Sequence, residues 1–234
     1  MKKKDATLEK GDSATDAAKK GTDAVKEGAV IKGKNKEQAI LEAAEYEFME
    51  KGFEAAKTTK IASLAGVTHA MLHYYYRTKE NLFDMVFERK TRLLKDSLFG
   101  AFDRQDLPFC EKIRQGIEAH FDFLKANPTL PRFVINEVIY KPGRMKLFEH
   151  KIRSVAENVL EKLSAEIDRE VEKGTIVAID PVTLLVDIAS VNVFAFAVLP
   201  FLRNFAVKPY GSEEAFLEAR KRENVEIIMR RLKR

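Results

Sequence analysis

The sequence predicts an all-α protein. Its 234 residues include only 11 Gly and 7 Pro, so long stretches lack the residues that interrupt helices. Hydrophobic residues make up 45% of the chain, which is enough to bury a substantial core and excludes a wholly disordered protein. The single cysteine, Cys110, cannot form an intramolecular disulfide. A disulfide scaffold is therefore excluded, and a reducing compartment, the cytoplasm, is favoured.

Residues 1–34 form a low-complexity arm rich in lysine and alanine. They contain nine Lys, six Asp or Glu, and too few large aliphatic residues to offset the entropy cost of ordering. The composition therefore predicts a solvated arm. A near-repeat of seven residues, 15–21 followed by 22–28, leaves open a helix that lies against a partner chain or DNA. No apolar stretch follows the lysines, so a signal peptide is not predicted.

A helix-turn-helix is predicted directly after the arm. Asn35 can cap a first helix whose apolar residues recur at helical spacing, and Gly52 can end it. A second helix is predicted over 58–65, and Gly66 supplies the positive φ that a tight turn needs. Thr68 can cap a third, short helix. Two short helices joined by a turn that contains glycine are typical of the helix-turn-helix.

This segment carries a local excess of positive charge. Residues 55–79 include no Asp or Glu, although the flanking stretches are rich in acids. The basic residues of the segment are Lys57, Lys60, Arg77 and Lys79, together with His69 and His73 on the third helix. Cations at both ends of a helix-turn-helix can hold phosphates on either side of a major groove, while polar side chains approach the base edges. The charge pattern therefore indicates DNA binding, which the small net charge of +5 does not.

Residues 35–89, and especially residues 51–83, KGFEAAKTTKIASLAGVTHAMLHYYYRTKENLF, resemble the N-terminal domain of the TetR family of transcriptional regulators. The shared pattern is Gly-aromatic, Ile-Ala, Ala-Gly-Val-Ser/Thr, a Tyr-rich third helix and Lys-Glu-x-Leu. The resemblance implies a three-helix DNA-binding domain followed by a larger helical domain for ligand binding and dimerisation. It also implies a homodimeric repressor that binds a palindromic operator in double-stranded DNA and is released by a small hydrophobic inducer. No cofactor is implied.

The resemblance also assigns the DNA contacts. Thr68 and Lys79 are expected to meet phosphates, and His69 and Ala70 are expected to face base edges. The full set of expected DNA-binding residues is Lys57, Thr58, Thr68, His69, Ala70, His73, Tyr74, Tyr75 and Lys79. Three of them, His69, Ala70 and His73, stand where Lys, Gly and Tyr are commonest, so no operator sequence is predicted. The two histidines have the spacing of metal ligands, but no carboxylate or thiol adjoins them, and no metal site is predicted.

The remainder of the chain is predicted to fold into six helices. Their expected ranges are 78–104, 108–125, 130–140, 144–173, 180–204 and 212–233. Thr78, Asp180 and Ser212 are candidate N-caps, and Gly174 is placed to end the fourth of these helices. The expected domains are therefore the arm at 1–34, the helix-turn-helix domain at 35–80 and the ligand-binding and dimerisation domain at 81–234.

Residues 181–202 are apolar enough to suggest a membrane span. Asp187 within them opposes that interpretation, and a helix that is apolar all round can instead contact its own core on one side and a second subunit on the other. With the last helix it would build the four-helix bundle of a dimer, as the resemblance implies. The alternative is a membrane-associated or scaffold helical protein with basic terminal segments, but the acid-free stretch at 55–79 favours DNA binding.

The last candidates are apolar residues of the C-terminal domain. The expected ligand-binding residues are His120, Phe121, Phe133, Tyr140, Met145 and Phe194, each of which could equally pack in the core. The sequence has no Gly-rich phosphate loop, no G-x-S-x-G and no H-E-x-x-H, and Cys110 has no evident base. No catalytic residue and no enzymatic activity are therefore predicted.

Overall fold

The computed structural model describes residues 36–99, 104 and 106–233, and within them the side chains of 94, 96–99, 147, 148, 151, 152, 154 and 155 are left out. All regular secondary structure in these ranges is helical, which confirms the predicted fold class. The predicted arm at 1–34 and its neighbour Asn35 lie outside the described residues.

Ten α-helices are present in the described ranges. They are α1 Lys36–Ala55, α2 Thr58–Leu64, α3 His69–Tyr76, α4 Lys79–Phe99, α5 Phe109–Ala126, α6 Leu130–Val134, α7 Pro142–Glu172, α8 Pro181–Ala197, α9 Leu199–Leu202 and α10 Glu213–Leu232. A π-helical segment, Ile135–Ile139, follows α6 without a break. A single 3₁₀ turn, Lys208–Tyr210, precedes α10.

The predicted helix starts are confirmed by their caps. Thr68, Thr78, Asp180 and Ser212 each accept, through a side-chain oxygen, a hydrogen bond from the backbone N–H three residues later, over 2.7–3.2 Å. Gly66 has a φ of 65° in the predicted turn between α2 and α3. These local contacts fix where α3, α4, α8 and α10 begin.

Three predicted helices are interrupted, and the sequence pattern indicated only the interruption at Gly52. The prediction of one helix over 180–204 is wrong at Val198, where φ is −101° and ψ is 0°, because Pro200 lacks the N–H that a continuous helix needs. The helix predicted over 130–140 is π-helical in its second half. Gly52 interrupts α1 with φ 74° and ψ 172°, and one further turn follows it.

The first hydrophobic cluster joins the helix-turn-helix to part of the C-terminal chain. Its fully buried members include Phe48, Ile61 and Leu72 from the first three helices. Phe133 of α6 and Val138 of the π-helical segment belong to the same cluster. The core of the predicted DNA-binding domain therefore extends beyond residue 80, and the two predicted domains share it.

The second and third clusters build the C-terminal domain. The second, around Ile117, Leu184 and Ile228, joins α5, α7, α8 and α10. The third is centred on the rings of Phe121 and Phe196, whose centroids lie 4.9 Å apart. Within the described ranges, no helix combines the length and the apolar character that a membrane crossing requires.

Candidate nucleic-acid interface

The two helices α2 and α3 form the predicted helix-turn-helix. Ile61 and Ala62 of α2 and Leu72 of α3 are buried against the first cluster. Their burial fixes which face of each helix points outward. The Thr68 hydroxyl is occupied with capping α3, so it stands at the helix N-terminus, where a phosphate would meet both a hydroxyl and the positive end of the helix dipole.

The outward face of α3 carries the predicted base-reading residues. His69, Ala70 and His73 are exposed, and Tyr74 is 81% exposed. Tyr75 stands at the edge of this face, with 38% of its surface exposed. The structure therefore brings the predicted residues of the third helix onto one accessible surface.

The Tyr76 side chain points away from this exposed face and into the core, as expected for the third of three consecutive tyrosines on a helix. Its side chain is 5% exposed, and its hydroxyl donates to the carbonyl oxygen of Glu37 over 3.2 Å. Burial, and next the negative charge of Glu37, raise the pKa of Tyr76 to about 12. Tyr76 thus fastens α3 to the start of α1.

A chain of contacts links the first residue of α2 to the end of α3. Nε2 of His69 lies 2.9 Å from the hydroxyl of Thr58, and the rings of His69 and His73 meet edge to face with centroids 4.4 Å apart. Nδ1 of His73 donates to the carbonyl oxygen of Arg77 over 2.9 Å. These contacts hold the two histidines in defined orientations before any DNA is bound.

The cations surround this face. Lys57, Lys60 and Arg77 are exposed, while Lys79 is half-buried at the start of α4. The Lys79 ammonium donates to the carbonyl oxygen of Glu54 over 3.1 Å and lies 4.7 Å from the centroid of the Phe53 ring. The predicted phosphate-binding lysine is therefore held by the end of α1.

The six predicted ligand-binding residues do not form one site in the described chain. Phe133 and Met145 pack in the first cluster, beside the helix-turn-helix, whereas Phe121 lies in the third. Tyr140 is 73% exposed and Phe194 is 67% exposed. Only His120 lies among other buried polar side chains.

That polar cluster contains two residues that sequence reasoning missed, Asn192 of α8 and Asn224 of α10. Both are fully buried, and Nδ2 of Asn192 lies 3.3 Å from Nδ1 of His120. Nδ2 of Asn224 donates to Oδ1 of Asn192 over 2.9 Å. The sequence signal that could have identified these two residues is an amide side chain on the apolar face of a helix. Burial lowers the pKa of His120 to about 4, so this histidine is neutral near pH 7.

Arg144 and Glu137 were also missed. Arg144 begins α7 and Glu137 lies in the π-helical segment, and their side chains meet over 2.6 Å. Arg144 also lies over the Phe53 ring, with 4.0 Å between the guanidinium carbon and the ring centroid. No motif marks them, because Phe53 and Glu54, which Arg144 contacts on α1, lie 90 residues or more earlier in the chain.

Two family models match this chain. Residues 40–86 match the bacterial regulatory proteins of the tetR family, and residues 110–228 match the tetracyclin repressor-like C-terminal domain. The second match alone spans more than half of the 234 residues.

Individual relatives and solved structures agree with these matches. The HTH-type transcriptional regulator YhgD of Bacillus subtilis is 29% identical over 63% of this chain and 75% of its own length. The HTH-type transcriptional activator FasR of Mycolicibacterium smegmatis is 24% identical over 64% of this chain and 68% of its own length. A TetR-like transcriptional regulator from Rhodococcus sp. RHA1 shares the fold with a TM-score of 0.60 at 18% identity, over 83% of this chain and 94% of that protein. HlyIIR, a hemolysin II transcriptional regulator, shares the fold with a TM-score of 0.58 at 22% identity, over 85% of this chain and 97% of that protein.

Proposed function

The chain belongs to the TetR family of bacterial transcriptional regulators, and from this premise we propose that it is a cytoplasmic repressor controlled by a small hydrophobic ligand. In this proposal two copies bind a near-palindromic operator together, and the ligand releases them from DNA. The single observation that carries DNA binding is the cationic surface that the acid-free segment 55–79 builds around the exposed face of α3.

The dimensions and chemistry of that surface suit the major groove. Eight residues of α-helix are about 12 Å long, close to the width of the groove. His69 and Tyr74 offer hydrogen-bonding groups to base edges, and the Ala70 methyl group suits a thymine methyl. Lys57, Lys60, Arg77 and Thr68 stand where phosphates on either side would lie.

Dimer formation is supported by apolar side chains that the single chain leaves uncovered. Val182 and Val186 of α8 are each at least half exposed, Phe194 of the same helix more so, and Ile227 of α10 is partly exposed. Large apolar side chains on two neighbouring helices favour coverage by a second copy. A two-fold symmetric pair presents two α3 helices, and hence reads an inverted repeat.

Ligand control is supported by the buried polar cluster of His120, Asn192 and Asn224. Within the described chain, Oδ1 of Asn224 is buried and accepts no hydrogen bond. A buried acceptor without a donor is costly, so a water molecule or a ligand hydroxyl or N–H at this point would stabilise the protein. The cluster is uncharged and set among apolar side chains, which favours a largely hydrophobic ligand with one neutral polar group.

The test of DNA binding is selection of duplexes from a random-sequence pool by the purified full chain. We expect enrichment of an inverted repeat whose half-site centres are about 34 to 36 Å apart or slightly more. Tyr74→Ala should abolish the enrichment, whereas Tyr140→Ala, which removes a similarly exposed tyrosine outside the helix-turn-helix, should preserve it. Binding of the pool without enrichment would contradict the proposal.

A reporter gene downstream of the selected sequence tests the sign of regulation. Repression predicts that expression of this protein lowers reporter output, because an operator-bound dimer blocks transcription. The relative FasR is named an activator, so the opposite sign has a precedent among similar proteins. Increased reporter output would show that the protein is an activator and not a repressor, and the proposal of operator binding would still stand.

A further inference from the structure

One aromatic ring is contacted by a cation from each half of the molecule. The ring belongs to Phe53, which is buried at the end of α1. The guanidinium carbon of Arg144, at the start of α7, lies 4.0 Å from the ring centroid, and the ammonium of Lys79 lies 4.7 Å from it. Lys79 is the residue expected to hold a DNA phosphate. The C-terminal domain and the DNA-facing surface therefore meet at Phe53.

The other contacts of Arg144 hold its guanidinium in place. Nη1 donates to Oε2 of Glu137 over 2.6 Å and to the Glu137 carbonyl oxygen over 3.3 Å. Nη2 lies 3.5 Å from Oε1 of Glu54, and the guanidinium carbon also lies 5.0 Å from the centroid of the Phe83 ring. A planar guanidinium can bind a carboxylate through its edge and stack on rings through its faces, which an ammonium cannot do equally well.

The backbone of α1 follows the same junction. Gly52 has a φ of 74°, and a Cβ atom built on it would overlap Oε1 of Glu137. The π-helical segment thus rests directly against the chain at residues 52–54. Glu137 and the start of α7 therefore lie against Gly52, Phe53 and Glu54, and the last two of these hold the Lys79 ammonium.

We infer that Arg144 is a positioning residue for DNA binding, through which the C-terminal domain sets the place of the Lys79 ammonium. The inference rests on the proposed function. With Arg144 stacked on Phe53, the end of α1 is fixed and the ammonium is held at the edge of the cationic surface. Without Arg144, Phe53 and Glu54 are free to move, and Lys79 no longer meets its phosphate in a defined geometry.

A second contact between the two halves supplies a control. Lys90 of α4 is buried, forms an ion pair with Glu45 of α1 over 2.5 Å, and donates to Oδ1 of Asn127 over 2.6 Å. This contact also joins the helix-turn-helix domain to the C-terminal domain, but none of its three residues touches Phe53, Glu54 or Lys79 in the contacts described. Asn127→Ala removes the hydrogen bond that holds Lys90 in its ion pair with Glu45, and so weakens this second contact without acting on Lys79.

The experiment is a double-mutant cycle of Arg144→Gln and Lys79→Ala, measured as affinity for the duplex that the wild-type chain selects, at several salt concentrations. We expect Arg144→Gln to weaken binding about tenfold and to reduce the salt slope toward that of Lys79→Ala, since a phosphate contact is lost. In the Lys79→Ala background the same substitution should have no further effect. Asn127→Ala should leave affinity and slope at wild-type values.

Arg144→Lys keeps the charge and should fold even if Arg144→Gln does not. It should give an intermediate salt slope, because an ammonium replaces only part of the stacking and ion pairing. Additive effects of the two substitutions, or a wild-type slope in both Arg144 variants, would overturn the inference alone. A wild-type chain that binds no duplex would overturn the proposed function, and the inference with it.

Discussion

At the scale of single residues, Gly52 and Gly66 both have a positive φ but lie in different surroundings. Their φ values are 74° and 65°. A Cβ atom on Gly66 would meet nothing within 4 Å, whereas a Cβ atom on Gly52 would overlap the carboxylate of Glu137. Gly52 also has a ψ of 172°, and this combination is almost exclusive to glycine, so a side chain there would meet both backbone strain and the carboxylate at the junction between the domains.

Gly66→Ala should lower the free energy of unfolding by about 1 kcal/mol, which is the cost of placing an L-residue at positive φ. Gly52→Ala should lower it by roughly 1 to 3 kcal/mol more, because its φ and ψ are almost exclusive to glycine and because Glu137 must leave its place beside Arg144. Urea unfolding at one protein concentration measures both losses. Equal losses in the two variants would contradict this account of Gly52.

His120 predicts a pH dependence of stability. Its pKa is about 4 in the folded protein because it is buried, and about 6.5 in the unfolded chain. Between these values the unfolded state binds the additional proton, so the stability present above pH 6.5 is lost as the pH falls. The wild-type free energy of unfolding should fall by about 1.4 kcal/mol per pH unit more than that of His120→Gln in this range. Parallel pH profiles of the two proteins would contradict this account of His120.

At the scale of helices, local signals predicted starts better than interruptions. The caps at Thr68, Asp180 and Ser212 could be predicted because each joins residues three apart. The outward face of α3 could be predicted for the same reason, since helical spacing alone determines it. The π-helical segment could not, because no local residue pattern marks it, and its Glu137 lies against Gly52, 85 residues earlier in the chain.

The same distinction explains the predicted ligand-binding residues. Whether Phe133 or Phe121 lines a cavity depends on which helices pack together, and the structure places them in different clusters. Asn192 and Asn224 form one polar cluster although 32 residues separate them. Neither kind of contact leaves a local pattern in the sequence.

The exposed face of α8 gives a prediction at this scale. Val186→Asp should leave the monomer folded but prevent dimer formation, because Val186 is 56% exposed and would place a charge in the proposed interface. Leu184, two residues earlier, is fully buried, so Leu184→Asp should unfold the domain instead. Light scattering for mass and circular dichroism for helicity distinguish the two results. If the Val186→Asp protein is still a dimer, the dimer interface does not include this face of α8.

At the scale of the whole molecule, the first hydrophobic cluster is shared by the two domains and couples them. Phe133 and Val138, from the C-terminal domain, pack into the core of the helix-turn-helix domain. Arg144, also from the C-terminal domain, lies over the ring of Phe53. A ligand that prefers one arrangement of this junction must change operator affinity, and operator must change ligand affinity by the same factor. A coupling of about 1 to 3 kcal/mol corresponds to a factor of roughly 5 to 150.

The central claim is that the surface around α3 and Lys79 is the DNA-binding surface. The most direct measurement is the salt dependence of binding to the selected duplex by the wild type, by Lys79→Ala, and by Lys125→Ala, which removes a lysine paired with Glu214 and Glu218 in the C-terminal domain. In a dimer Lys79→Ala should weaken binding and lower the slope of log K against log salt by about 2, one phosphate for each chain, while Lys125→Ala leaves it unchanged. Wild-type affinity and slope in Lys79→Ala would contradict the claim.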